Sequence, residues 1–443
     1  MKFSRKDILI TGFALLAMFF GAGNLIFPPM LGLQSGEDLP WAILGFIATG
    51  VGLPFLGVTA VALAGGDLEF IANRVHPAFS KIITTISVLC IGPLLAIPRT
   101  AATTYEVAIA SFFNAPTPFM NTVALLITST IFFIIVLFFV LKPTQLINNI
   151  GKILTPFMLI FLAIIILKGL ITPLGSAGPS NYANPFSTGF LEGYNTMDAI
   201  ASVIFGMIIV KGIREKGVSD RGSVARITIM AGSIAAAGLA FIYIGLGYIG
   251  STTANVFTGE NQGQLLVFIS QGLLGTPGQA IMGIVMALAC LTTAIGLVAS
   301  CGEYFSRLSH YRISYNAVAI ITTLVSFLLS NLGLVQILKI SVPLLVFVYP
   351  IIIALIILTL LHNVFRGSRI VYVFSVGIVV LFVILDALKG FGNTLGIDVS
   401  LLTQLLNYLP LYQQGLGWVI PAAATAILMT LISYFLPNIN KSL

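Results

Sequence analysis

Apolar residues run along this chain in long blocks, and short polar clusters separate the blocks. A helix that crosses a bilayer needs about 20 predominantly apolar residues, and twelve stretches meet that length. They fall at about 8–33, 41–64, 81–110, 119–141, 149–169 and 190–211, then at about 224–249, 277–303, 313–331, 338–361, 370–388 and 416–436. The connections are short except at 170–189, 250–276 and 389–415. Two of the long ones carry apolar-patterned stretches, QLLVFISQGLL and LLTQLLNYLPLY, which predict short helices lying on the outer face, too short to span. The N-terminal MKFSRKD followed by ILITGFALLAMFF has the outline of a signal peptide. The apolar run continues to Leu33, however, and predicts an uncleaved first span.

Composition sharpens this picture. Of 443 residues, 58% are hydrophobic and only 8% charged, against roughly 25% charged in an ordinary soluble domain; the mean hydropathy is +1.07. Too little polar surface is present for a cytosolic enzyme, a disulfide scaffold or a disordered chain. The net charge of +7 has an address that argues against nucleic acid. With the N-terminus inside, seventeen of the 21 Lys and Arg residues fall in inner segments. These are Lys2, Arg5 and Lys6; Arg74 and Lys81; Lys142 and Lys152; Lys211, Arg214, Lys216, Arg221 and Arg226; Arg307 and Arg312; Arg366 and Arg369; and Lys441. Outside are Lys168, Lys339 and Lys389, and Arg99 lies within a span. That asymmetry predicts an even number of spans with both ends cytoplasmic. Cys90, Cys290 and Cys301 fall in apolar segments without metal spacing, and His76, His310 and His362 are scattered, so no redox or metal centre is indicated.

Chemistry is expected where a helix cannot continue, because broken backbone survives in a membrane only where it lines a cavity or a site. The first span contains Gly21-Ala22-Gly23-Asn24 and then Pro28-Pro29, which predicts an unwound segment; close helix–helix contact through small residues is the alternative. The sixth span, GYNTMDAIASVIFG, carries Asp198 and, near its middle, Gly206. If spans 1–5 and 6–10 are inverted repeats, these two weak points are equivalent, and paired discontinuities are the sequence pointer to a transporter's midplane site. Thr292 and Thr293 in span eight offer adjacent hydroxyls of the kind that suit a hard cation; bonding back to their own helix is the alternative.

Ionisable groups inside spans are costly and point to function. Arg99 follows Pro98 in span three, and an Arg99–Asp198 pair, gate or structural clamp, is geometrically possible. Glu106 lies seven residues beyond Arg99 on the same helix face, toward the outer interface. Glu303 is expected to pair with Arg307 at the inner one. The chain has no Walker A sequence, no arginine ladder and no potassium-channel filter, so energy would come from an ion gradient.

The stretches GAGNLIFPPMLGLQSGE at 21–37, GPLLAIPRTA at 92–101, GYNTMDAIASVIFG at 193–206, LTTAIGL at 291–297 and SNLGLVQILKISVPLLVFVYP at 330–350 carry a resemblance over essentially the whole chain. The sequence resembles the bacterial branched-chain amino acid:cation symporter family, the branched-chain amino acid transport system II carriers. That resemblance implies an all-α polytopic membrane protein of about 12 helices with the LeuT-type fold of the APC superfamily. A 5+5 inverted repeat (about 8–169 and 190–361) would form one transporter domain with two C-terminal helices (about 370–436). It further implies a non-enzymatic symporter of the bacterial inner membrane that imports leucine, isoleucine and valine with Na⁺ as coupling ion, without cofactor, nucleic acid or ATPase subunit.

By motif alignment, the substrate carboxylate would meet backbone N–H groups at Gly21, Ala22 and Gly23, with Asn24 supporting substrate and sodium. The substrate ammonium would face carbonyls near Val203, Ile204 and Phe205. A sodium site would use the carbonyls of Ala17, Phe20 and Ala289 and the hydroxyls of Thr292 and Thr293. One departure is visible: an arginine that follows the first-span break in some relatives of the fold is replaced here by Ile26 and Phe27, which makes Arg99 the candidate for outer gating. The competing readings are proton coupling through Asp198 or Glu106 and, in a different class, a membrane-embedded enzyme. The spans offer that enzyme no histidine and no paired carboxylates.

Overall fold

The computed structural model describes residues 4–113, 117–141, 146–395 and 398–435; for 146–155 and 391–395 it describes the backbone only. Lys2, Lys142 and Lys441 of the predicted inner set lie outside the described residues. Helix is found at each of the twelve predicted places. The first span is split into α1 (Arg5–Phe19) and α2 (Ala22–Ser35). The second runs as α3 (Leu39–Ile47) and α4 (Leu53–Ala64), joined by a π-helical turn at Ala48–Gly52. A short α5 (Leu68–Ala72) precedes the third span, α6 (Pro77–Leu89) and α7 (Ala96–Thr104). Then follow α8 (Pro118–Leu141), α9 (Leu146–Ile171), the broken pair α10 (Pro185–Glu192) and α11 (Asp198–Glu215), and α12 (Arg221–Ser251). The remainder is α13 (Gln262–Leu308), α14 (Tyr315–Ser330), α15 (Leu334–Leu360), α16 (Arg369–Leu395), α17 (Ser400–Asn407) and α18 (Val419–Phe435). Seven described helices are long and apolar enough to span alone, and the bent pair from Pro185 to Glu215 makes an eighth. One of the seven, Ala22–Ala64, takes in parts of two predicted spans.

Both of the apolar-patterned stretches in the long connections carry helix. QLLVFISQGLL lies in the part of α13 before Gly275, whose φ of 67° interrupts the helix just ahead of Pro277. In the other stretch LLTQLLN belongs to α17.

Packing relies on glycine where helices cross. A Cβ on Gly32 of α2 would fall 1.9 Å from the carbonyl oxygen of Gly247, and one on Gly250 would fall 2.0 Å from that of Pro29. α2 and α12 therefore approach backbone to backbone, the contact small residues permit in membranes. Helix α12 packs against α1, α2 and α4, α11 against α4, α10 against α3, and α13 against α7. Outside this bundle, Ile127, Ile131 and Ile134 of α8, Ile160 of α9 and Ile427 of α18 are exposed. An apolar exterior of that extent belongs in lipid.

Polar contacts sort by side. Lys216 meets Asp7 at 3.6 Å, and Arg307 meets Asp67 at 3.4 Å and Glu69 at 3.7 Å; all join segments predicted to lie inside. Exposed pairs of this kind contribute about 0–1 kcal/mol each, so they mark a common face more than they hold it. Arg307 thus pairs with the linker after span two and not with Glu303, which is exposed. On the opposite side Asn181 donates to Gln34 through backbone and side chain, and Asn255 to Ser176.

Candidate functional site

Helix α1 ends at Phe20, where ψ swings to 99°, and Gly21 is extended before α2 begins at Ala22. The Gly21 N–H turns to the Asn24 Oδ1 at 3.0 Å, so the carbonyls of Ala17, Met18, Phe19 and Phe20 lose the intrahelical donors a continuous helix would give them. The N–H groups that open α2 are likewise free of intrahelical acceptors. The predicted unwound segment is thus confined to two residues. Pro28 and Pro29 lie inside α2, where each withholds a donor from the carbonyl four residues back, at Asn24 and Leu25.

The break in span six lies earlier than expected. A short 3-10 turn, Gly193–Thr196, ends at Met197 in the left-handed region (φ 65°, ψ 6°), and α11 starts at Asp198; the two parts are bent by 46°. Val203, Ile204 and Phe205 sit inside continuous α11, where their carbonyls are committed to the helix ladder. They are corrected as the ammonium-facing group: at the break the Tyr194 carbonyl accepts from the Met197 N–H at 3.0 Å, the Met197 carbonyl from the Ala201 N–H at 3.1 Å and the Asn195 carbonyl from Arg99, which leaves the Thr196 carbonyl as the acceptor the break offers. Gly206 marks a helix contact instead, since a Cβ there would meet Val58 and Val61 at 3.2 Å.

Both breaks face one buried cavity of about 30 Å³, room for one or two waters. Gly21, Ala22, Gly23 and Asn24 line it from the first break, and Thr196, Met197, Asp198, Ala201 and Phe205 from the second. Met18, Phe19, Ile91, Ala96, Arg99, Thr100, Thr293 and Leu297 complete the wall. Val203, Ile204, Ala17, Phe20, Ala289 and Thr292 do not reach it.

Asp198 is 3% exposed and is the first residue of α11, where the helix N-terminus favours an anion. Its Oδ2 accepts from the Asn24 Nδ2 at 2.6 Å and from the Tyr243 hydroxyl at 3.1 Å, and Asn24 also donates to that hydroxyl. Tyr243, fully buried on α12, was not singled out in the sequence, although a hydroxyl in mid-span is the signal that would have found it. Arg99 is 4% exposed. Its Nη1 donates to the Asn195 carbonyl at 2.6 Å, a cation at the end of a broken helix, and its guanidinium lies 5.2 Å from the centroid of the Phe27 ring.

Arg99 and Asp198 share the cavity but form no ion pair within 4 Å among the described residues. The expected pair is corrected, because each group is already drawn to polar groups of its own. Glu106 does not share the cavity of Arg99. A π turn at Tyr105–Ala110 shifts the helical register, and Glu106 lines a separate cavity of about 290 Å³ with Phe257, Gln264 and Phe268, beside the long 250–276 connection.

The threonines part company. Thr292 donates to the Ala289 carbonyl at 3.0 Å, so two of the expected sodium ligands are bonded to each other. The buried Thr293 hydroxyl has no partner and points at the first break, 3.2 Å from where a Cβ on Gly21 would stand.

Residues 4–436 match the family described as branched-chain amino acid transport protein. The chain belongs to that family. It is 43% identical to the branched-chain amino acid permease BraB of Bacillus subtilis (strain 168), covering 97% of this chain and 96% of that one. It is 39% identical to the permease BrnQ of the same organism, with 98% of both chains covered. Among solved structures it resembles the nucleobase-cation-symport-1 family transporter Mhp1 in a closed conformation, with a TM-score of 0.63, 15% identity, and coverage of 97% of this chain and 93% of that chain. The fold is that of the LeuT-type transporters, and the protein is a multi-pass membrane protein.

Proposed function

We propose that the chain imports leucine, isoleucine and valine with Na⁺ across the bacterial cytoplasmic membrane by alternating access, with both termini inside. The observation that carries this reading is the meeting of two helix breaks at one buried cavity, in a chain so similar to branched-chain amino acid permeases. A zwitterion needs donors for its carboxylate and acceptors for its ammonium. The α2 N-terminus at Gly21–Gly23 suits the first; the Thr196 carbonyl and the Asp198 carboxylate suit the second. Met18, Phe19, Ile91, Ala201, Phe205 and Leu297 offer an apolar wall to a branched side chain. Such a wall separates leucine from valine poorly, one methylene being worth about 1–3 kcal/mol. A cavity of about 30 Å³ is too small for an amino acid, so binding requires it to widen, as alternating access does.

For sodium, the freed carbonyls of Ala17 and Phe20 and the unpartnered Thr293 hydroxyl form the favoured set, with Thr292 and Ala289 behind them. The family resemblance supports this site, and its oxygen ligands suit a hard cation. A second reading, proton coupling through Asp198, is favoured by the burial of that carboxylate at the junction of both breaks. Leucine uptake into proteoliposomes under an imposed Na⁺ gradient, with pH equal on both sides, separates the two. Accumulation that follows Na⁺ supports the symport proposed; accumulation that ignores Na⁺ and follows a pH gradient overturns it.

A further inference from the structure

Arg99 is a buried cation that shares its cavity with the Asp198 carboxylate but makes no direct ion pair with it among the described residues. It lies on α7 between two π-helical turns, Cys90–Leu94 and Tyr105–Ala110, and these fix which way the short helix faces. Asp198, the one carboxylate on the same cavity wall, is held by Asn24 and Tyr243. Of the guanidinium nitrogens, Nη1 is committed to Asn195. Nε is buried without a hydrogen-bond partner. Nη2 lies against the first turn of α2, since a Cβ on Gly23 would come within 2.8 Å of it. The Nε–Nη2 edge is the edge that receives a carboxylate through two parallel hydrogen bonds. Beside it stand the N–H groups that open α2, whose dipole also favours an anion.

We propose that Arg99 binds the carboxylate of the transported amino acid through its Nε–Nη2 edge, together with the N–H groups of Ala22 and Gly23. Arg99 is thereby the residue that makes a free carboxylate a condition of transport. This rests on the amino acid transport reading and extends it. Gly23 has no side chain because one would push the guanidinium from the helix N-terminus. The bond from Nη1 to Asn195 ties the carboxylate end of the site to the broken backbone of span six, so that substrate binding reports on both breaks at once. Phe27 supports the flat face of the guanidinium and keeps its edge turned toward the cavity.

The test is competition against leucine uptake in proteoliposomes, for the wild type and for Arg99→Gln and Arg99→Lys. The competitors are leucine and leucinamide, which keeps the side chain and ammonium but has no carboxylate. In the wild type, leucinamide is expected to compete at least about 30-fold more weakly than leucine, the discrimination given by a bidentate charged pair. In Arg99→Gln the KM for leucine is expected to rise at least about tenfold and the leucine–leucinamide ratio to fall to within about threefold; Arg99→Lys keeps the charge without the fork and falls between.

A variant that loses affinity for both compounds equally, with the ratio unchanged, has lost only a structural clamp, and that overturns the proposal. So does wild-type KM and discrimination in Arg99→Gln. Should Arg99→Gln fail to insert, the wild-type panel decides alone: leucinamide competing within about threefold of leucine overturns the proposal. Absence of leucine uptake by the wild type in every imposed gradient overturns the transport reading itself.

Discussion

The two broken spans reach the same cavity by different means. In the first, Gly21 takes an extended conformation beside a glycine-rich turn, and Asn24 reaches back to bond its N–H. In the second, Gly193 opens the turn but does not take the strained position: Met197 carries the left-handed conformation itself, 2% exposed, at a cost of about 1–2 kcal/mol for a residue with a Cβ. The first break is written into local composition. The second is imposed by its surroundings, with Thr196 donating back to the Gly193 carbonyl at 2.9 Å, Asn195 held by Arg99, and Tyr194 stacked on Tyr349 at 4.1 Å between ring centroids. A glycine therefore locates a break only when the break is locally encoded; Gly206 was misread for that reason.

The largest effect expected is at the junction of the two breaks. Asp198→Ala should lower leucine uptake by at least about 100-fold with the protein still inserted, because it removes the acceptor both Asn24 and Tyr243 address and leaves Arg99 the sole buried charge of the cavity. Near-normal uptake would show that the breaks work without it. Next comes the location of the second break. Met197→Val puts a β-branched residue at positive φ and should destabilise by about 1–3 kcal/mol and impair uptake, whereas Met197→Gly should keep uptake within about threefold of wild type. Thermal unfolding in detergent and initial uptake rates read both. Equal tolerance of valine and glycine would mean that the strain is not what shapes span six.

A smaller effect divides the threonines. Thr293→Val is expected to raise the Na⁺ concentration for half-maximal uptake by about tenfold or more, since it deletes a hydroxyl with no protein partner. Thr292→Val removes only a bond within its own helix and should change it less than about threefold. A reversed order would move the cation site deeper into span eight. Smallest of all, Ile204→Val should leave the leucine KM within about twofold, because its carbonyl belongs to the helix ladder and its side chain faces away from the cavity. A large KM change there would restore the original placement of the second break.

Much of the fold was legible because the bilayer enforces a simple rule: long apolar blocks become helices, and helix is found at each of the twelve blocks. Glu303 shows where sidedness alone stopped short. Its proximity to Arg307 in sequence suggested a pair, but Arg307 reaches across to Asp67 and Glu69, a contact made by folding two distant segments together. At the site, Gly21–Asn24 and Asp198 could be named from local sequence, as could Thr293. Tyr243 could not be joined to them, because its hydroxyl acts 219 residues from Asn24.

Sequence by itself determined that this protein lives in lipid, where along the chain its helices fall, and that its first span must break. Those follow from hydropathy and backbone chemistry, which act locally. Only the tertiary structure decided where span six breaks, that Arg99 and Asp198 stand apart, and which threonine faces the site. Each of these depends on which buried polar group finds a partner first, and in a membrane interior that competition is settled by neighbours far away in the chain.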